Sequence, residues 1–184
     1  MSSKKRIFVE KRGIFDVESP KVLAEIKNIV PNAEAVKVYN IYDVFGLDDA
    51  DFNKVVGSTF VDPVVDILHL ENPAKDLSFA TEFLPGQYDQ RADSAEQCIA
   101  LLTDAENATV RSGKLIEVKG VNEADLAKIK DHLINKVESR EKNLSVLEIP
   151  AQNEPSPVVT YDGFINFNAD ELKTFYEKHG FAFG

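Results

Sequence analysis

The chain has 184 residues, 43% hydrophobic and 28% charged, enough to bury a core in one domain or two small ones. Its 31 acidic against 21 basic residues leave a net charge of −10, which opposes phosphate backbones and anionic lipid, so neither nucleic acid nor a membrane is expected as a partner. The single cysteine, Cys98, excludes an intrachain disulfide and a cysteine-rich zinc site, the histidines at 69, 132 and 179 lack metal-ligand spacing, and no apolar run approaches the ~20 residues that span a bilayer. With no signal-peptide core after Met1, the expected compartment is the cytoplasm.

In chain order, a short strand is predicted over Ile7 to Glu10, followed by the loop Gly13-Ile14-Phe15-Asp16. Helical spacing of Val22, Leu23, Ile26 and Ile29 comes next, with Ser19 and Pro20 as its start signal. Ala35 to Val44 reads as a strand bounded by Gly46. Asp48 stands as an N-cap, with Asp51 three residues on, before a helix burying Phe52, Val55 and Val56. His69 ends a further strand-like run.

The series then repeats. Phe79 to Leu84 is a strand, Gly86-Gln87-Tyr88-Asp89 restores the Gly-x-aromatic-Asp loop 73 residues later, and Ala95, Cys98, Ile99 and Leu102 carry helical period after Asp93-Ser94. Thr109 to Val118 is the second long strand, bounded by Gly120. Asn122 caps a helix burying Leu126, Ile129 and Leu133, with Asp125 at its third position; here the offset is 74. Val61-Asp62-Pro63-Val64-Val65-Asp66 then matches Ile134 to Ser139 at 73. The fold class expected is therefore α+β: tandem duplicated strand-helix-strand-helix units, helices packed on an antiparallel sheet, with pseudo-twofold symmetry and an apolar interface between the halves.

Residues 1–142 form the duplicated domain on this reading, and 143–184 a second region. The latter opens on the proline-punctuated Ile149 to Pro157 and continues into a helix from Ala169 to about His179, capped by Asn168, with Leu172, Phe175 and Tyr176 on one face and Gly180 as its stop. Phe181-Ala182-Phe183-Gly184 then reads as the opening of a structure that continues, so a truncated fragment is expected.

Catalytic motifs are missing: there is no phosphate-binding glycine loop, no His-Glu-x-x-His and no Gly-x-Ser-x-Gly. Cys98 is read as a small core residue on an apolar helix face, and His132 and His179 as helix-closing cations. The unusual stretch is Phe83 to Ser94, rich in directional hydrogen-bonding groups. Two readings stand. In one, Pro85-Gly86 forms a turn, Asp93 or Ser94 caps the helix, and Arg91 pairs with Asp89 and Asp93. In the other, Gln87, Tyr88, Asp89, Gln90, Arg91 and Asp93 present a preformed polar patch to a partner; the first-half loop lacks this richness.

Leu84-Pro85-Gly86-Gln87-Tyr88-Asp89-Gln90-Arg91-Ala92-Asp93-Ser94-Ala95 resembles the signature of the large, single-chain phosphoribosylformylglycinamidine synthases, and Ile134-Asn135-Lys136-Val137-Glu138-Ser139-Arg140-Glu141 resembles a second segment of that family, departing at Lys136, where the family has proline. The resemblance implies an N-terminal scaffold domain similar to two fused copies of a small homodimeric subunit, followed by the start of a linker domain. It implies as partners a synthetase domain and a glutaminase domain of the same enzyme. ATP and magnesium serve the full-length ligase, with glutamine as amido donor in purine biosynthesis. No catalytic or metal residue and no cofactor of that enzyme maps onto this segment, which is expected to be inactive alone. Two other readings compete: a free-standing α+β regulatory module binding a small ligand between its halves, and an inactive truncated gene product.

Overall fold

A computed structural model describes residues 3–105, 107–148 and 160–179. The chain divides into two compact units, Met1–Pro150 and Ala151–Gly184. The first is α+β. Its strands are β1 (Ser3–Lys11), β2 (Ala35–Leu47), β3 (Asp66–His69), β4 (Leu77–Phe83), β5 (Thr109–Lys119) and β6 (Ser139–Glu141). Its helices are α1 (Glu18–Lys27), α2 (Asp49–Val55), α3 (Gln90–Leu102) and α4 (Glu123–Leu133). The strands form one antiparallel sheet in the order β3-β1-β2-β5-β4-β6, with the four helices on one side.

Each half thus contributes three strands rather than the two of the expected repeat unit. β3 is the strand-like run read as ending at His69, whereas β6 is only three residues long, too short for alternation to announce it. β2 and β5 pair along their length at the centre, and their register sets Asn40 opposite Lys114, the same position of the two sequence copies. Gly46 and Gly120, ending these strands, have φ of +85° and +82°, the left-handed region glycine tolerates.

Two apolar clusters fill the helix side, and each draws on both halves. Ile7, Val44, Phe52 and Val55 meet Ala95, Ile99 and Val110 in one. Ile26, Val30 and Val38 meet Phe79, Val118, Leu126 and Ile129 in the other. Neither half could close its core without the other. The opposite face buries Phe8, Tyr39, Ile41, Ala80 and Leu115, with Ala74 and Leu144 packed on them.

Helix starts follow capping chemistry, with two corrections. Asp48 and Asn122 cap α2 and α4 as expected, accepting from the backbone N–H of Asp51 and Asp125. Ser19 does not start α1: the helix begins at Glu18, the Asp16 carboxylate accepts from Ser19 N, and the Ser19 hydroxyl oxygen accepts from Val38 N in the interior. Asp93 and Ser94 do not cap α3 either; Asp89 does, accepting from Ala92 N. Asp89 is thus the cap of α3, whereas Asp16, one residue before Val17 at the N-cap position of α1, accepts from Ser19 N in the first turn; both helices begin earlier than apolar spacing alone places them.

An ionic lattice fastens the first unit's last described segment. Arg6 clasps both carboxylate oxygens of Asp43, at 2.5 and 2.8 Å, and donates to the carbonyls of Leu144 and Val146. Lys142, only 7% exposed, reaches Asp43 at 2.8 Å and Glu82 at 2.7 Å. Residues 143–146, beyond the boundary read at 142, therefore pack on the first unit.

In the second unit, α5 (Ala169–His179) starts at a reciprocal capping box: Asn168 Oδ1 accepts from Asp170 N and Glu171 N, while Glu171 accepts from Asn168 N. Phe175 packs in T-shaped contacts with Tyr161 and Phe164. The prolines 150–157, Gly180 and the terminal phenylalanines lie outside the described residues. Among the described residues, no helix is long and apolar enough to cross a membrane.

Candidate functional site

The Leu84 to Ser94 stretch is a turn running into a helix. Gln87 N donates to Leu84 O, and Gly86 takes φ +89°. α3 then begins at Gln90, so Gln90, Arg91 and Asp93 stand on its first turn. The six patch residues separate into inward and outward groups. Asp89 is buried, and its two oxygens accept from Ala92 N, Ser112 N and the Ser112 hydroxyl, which makes it the bracket between α3 and β5. Asp93 accepts from the Tyr88 hydroxyl and from Gln97. That bond to a carboxylate pushes the Tyr88 phenol up from its ordinary value, since ionising it would set two anions together.

Gln87, Tyr88, Gln90 and Arg91 are exposed. Gln87 reaches the Val137 carbonyl at 3.4 Å. Arg91 does not pair with Asp89 or Asp93; its Nη1 donates to Asn40 Oδ1 at 2.5 Å, across the helix-to-strand gap. Behind these side chains lies an open cleft of about 700 Å³ between α3 and the middle of the sheet. Asn40, Ser94, Lys114, Glu138 and Phe83 help line it. Asn40 and Lys114 escape a motif search because neither belongs to a recognisable local pattern: Asn40 stands between Tyr39 and Ile41, and Lys114 ends the run Arg111-Ser112-Gly113-Lys114. Their signal is the repeat itself, which sets them 74 residues apart and, through the register, side by side.

A smaller cleft of about 290 Å³ is lined by Lys11, Phe15, Val17, Glu18 and Asp66, and shares Asn40 and Arg91 with the larger one. Matching positions carry different chemistry. Phe15, Val17 and Glu18 stand where Tyr88, Gln90 and Arg91 stand in the larger cleft. Glu18 forms an ion pair with Lys114 on the central strand.

The other sequence candidates settle elsewhere. Cys98 is exposed, not a core residue: Ala92, Ala95 and Ile99 set the buried stripe of α3, and Cys98 lies about 100° around the helix from Ile99. His132, near the end of α4, pairs with Glu25 at 3.0 Å, and His69 pairs with Glu10 at 2.8 Å. Around Glu10, burial favours the neutral acid, but hydrogen bonds from Lys37 and His69 prevail and hold its carboxyl below the ordinary value. Among the described residues, no cluster of three or more His, Cys, Asp or Glu could hold a metal ion.

The fold and cleft define an α+β protein with a six-stranded antiparallel sheet and an open cleft at the head of one helix. Comparison with protein-family models and with curated proteins gives no match.

Proposed function

We propose that this chain is the N-terminal scaffold part of a phosphoribosylformylglycinamidine synthase, docking a synthetase and a glutaminase domain and carrying no bond-making residue itself. On this reading the enzyme is a cytoplasmic, ATP-dependent ligase that amidates formylglycinamide ribonucleotide with nitrogen from glutamine. Ammonia released to water at neutral pH would be protonated and lose its nucleophilicity, so the two active sites need a frame that holds them together.

One observation carries the reading. The two segments that resemble the family, 84–95 and 134–141, are separated in sequence yet adjoin in space. Leu84 N donates to Glu138 O at 2.9 Å, β4 pairs with β6 through Phe83 and Ser139, and Arg140 pairs with Glu82. Glu138 and Ser139 share the cleft with Tyr88, Gln90 and Arg91. Two unusual stretches converging on one exposed place are better explained by a shared contact than by two separate folding needs. The reading includes a pseudo-twofold relation between the halves, supported by the Asn40 to Lys114 register and the paired apolar clusters.

The test is complementation in trans. The rest of such an enzyme, lacking its N-terminal domain, is assayed for glutamine-dependent and ammonia-dependent amidation with and without the 184-residue chain. Addition is expected to raise the glutamine-dependent rate more than the ammonia-dependent one. No change in either rate, or ATP or glutamine turnover by the chain alone, would overturn the proposal.

A further inference from the structure

The geometry points to Arg91 as the receiving group for a glutamate or aspartate side chain presented by a polypeptide partner in the larger cleft. The inference deepens the docking role proposed above and rests on it.

The argument starts from the matching position. In the first half, the first-turn residue Glu18 meets an opposite charge on the central strand, Lys114, so the pair is closed within the chain. In the second half, the first-turn residue is Arg91, and the strand position facing it is Asn40. An amide oxygen orients a guanidinium but cannot neutralise it. Arg91 forms no ion pair among the described residues, although the chain has ten more acidic than basic residues. The bond from Nη1 to Asn40 holds the side chain in place, and the remaining donors of the planar fork stay available for a carboxylate. A cation whose counterpart is satisfied internally, and which is itself positioned but unpaired, marks where an external anion belongs.

The surroundings favour a polypeptide over a small acid. Small-molecule sites enclose most of their ligand, whereas this cleft is wide open to solvent and could cover only part of one. At its rim, Tyr88 is 70% and Phe83 44% exposed, and Val137 stands exposed on the adjoining segment. Arginine and tyrosine beside apolar rim residues are the side chains that dominate binding energy at protein interfaces.

The 184-residue chain itself serves for the test. Its isotopically labelled Arg91 side-chain N–H resonance is followed while acetyl-Leu-Glu-Leu-amide, the same peptide with glutamine, or free glutarate is added. Saturable movement is expected with the glutamate peptide, with affinity at least tenfold weaker for the other two. Arg91→Gln is expected to abolish the saturable response, read on backbone amides lining the cleft. Asn40→Asp, which supplies an internal carboxylate where the amide oxygen now sits, is expected to weaken binding at least tenfold. The backbone amide spectrum reports whether each variant is folded; should Arg91→Gln fail to fold, the Asn40→Asp result and the paired peptides decide. No saturation with the glutamate peptide, or equal affinity for its glutamine form, overturns the inference. Glutarate binding as tightly as the peptide overturns the polypeptide assignment in favour of a small-acid site. None of these measurements involves the catalytic domains, so their failure is distinguishable from failure of the complementation experiment.

Discussion

The two Gly-x-aromatic-Asp loops match in sequence at an offset of 73 residues yet differ in how they share one task. In both, the aspartate accepts from a backbone N–H three residues on, in the first turn of the following helix, Asp16 from Ser19 N and Asp89 from Ala92 N. In both, a side chain at the helix start accepts from the same backbone N–H of a central strand. Ser19 does so for Val38, whereas in the second half Asp89 itself does so for Ser112. One half divides the work between two residues, and the other concentrates it in one. That concentration leaves the first turn of α3 free to carry Gln90 and Arg91 facing the cleft. The part of a repeat that stays constant is what the helix end needs; the part that varies is available for recognition.

The largest expected effect breaks this comparison if it is absent. Asp89→Ala removes the acceptor of three hydrogen bonds in a buried place and is expected to cost about 3 kcal/mol, against about 1 kcal/mol for Asp16→Ala, by urea denaturation. Equal costs would show that the two aspartates are not used differently. The strand-ending glycines sharpen the contrast. A Cβ at Gly46 would lie 2.6 Å from the backbone oxygen of Asn107, which cannot swing away, whereas at Gly120 the nearest atom is Cγ of the Glu34 side chain. Both positions have positive φ, so Gly46→Ala is expected to cost about 2 to 3 kcal/mol and Gly120→Ala about 1 to 2. Thermal denaturation of the two variants side by side checks the order.

Much of the architecture is legible in the sequence because duplication supplies it twice. The central pairing of β2 with β5, the caps Asp48 and Asn122, and the buried Phe52, Val55, Leu126 and Ile129 all follow from local signals that recur at a fixed offset. The starts of α1 and α3 are misread because serine and aspartate serve equally well as caps or as first-turn residues, and only the position of the strand distinguishes the roles. Cys98 is misread because the stripe through Ala92, Ala95 and Ile99 is narrow, and one residue's rotation carries a side chain out of it. The cleft needs Asn40 and Lys114, which become neighbours only through strand register, a property no local motif encodes.

A smaller effect separates the two hydroxyls at matching helix-to-strand junctions. Ser19→Ala strips Val38 N of its acceptor and is expected to cost about 1 to 2 kcal/mol, whereas Ser112→Ala keeps the backbone bond to Asp89 and is expected to cost less than half as much. Hydrogen exchange at the two amides reports which junction loosens, and faster exchange at residue 112 than at residue 38 would reverse the assignment.

The smallest effect concerns pH and the sheet face away from the helices. Glu10 is held below its ordinary value of 4.5 by Lys37 and His69, against burial acting the other way. Glu117 is likewise half-buried yet held low, by the backbone N–H groups of Asp76 and Lys75 and by the Tyr39 hydroxyl. A carboxylate whose folded pKa lies below its unfolded one binds protons more readily when unfolded. Its contribution is therefore complete above the ordinary value and lost as pH falls through the lower folded one. Stability is thus expected to be flat from neutral pH to about 5, then to fall as the solution is acidified through 4.5 and below. Glu117→Gln is expected to flatten that fall more than Glu10→Gln. The glutamine at 117 keeps an oxygen to accept from the two backbone donors while shedding the titration, but at position 10 the charge itself holds Lys37, so neutralising it removes that ion pair.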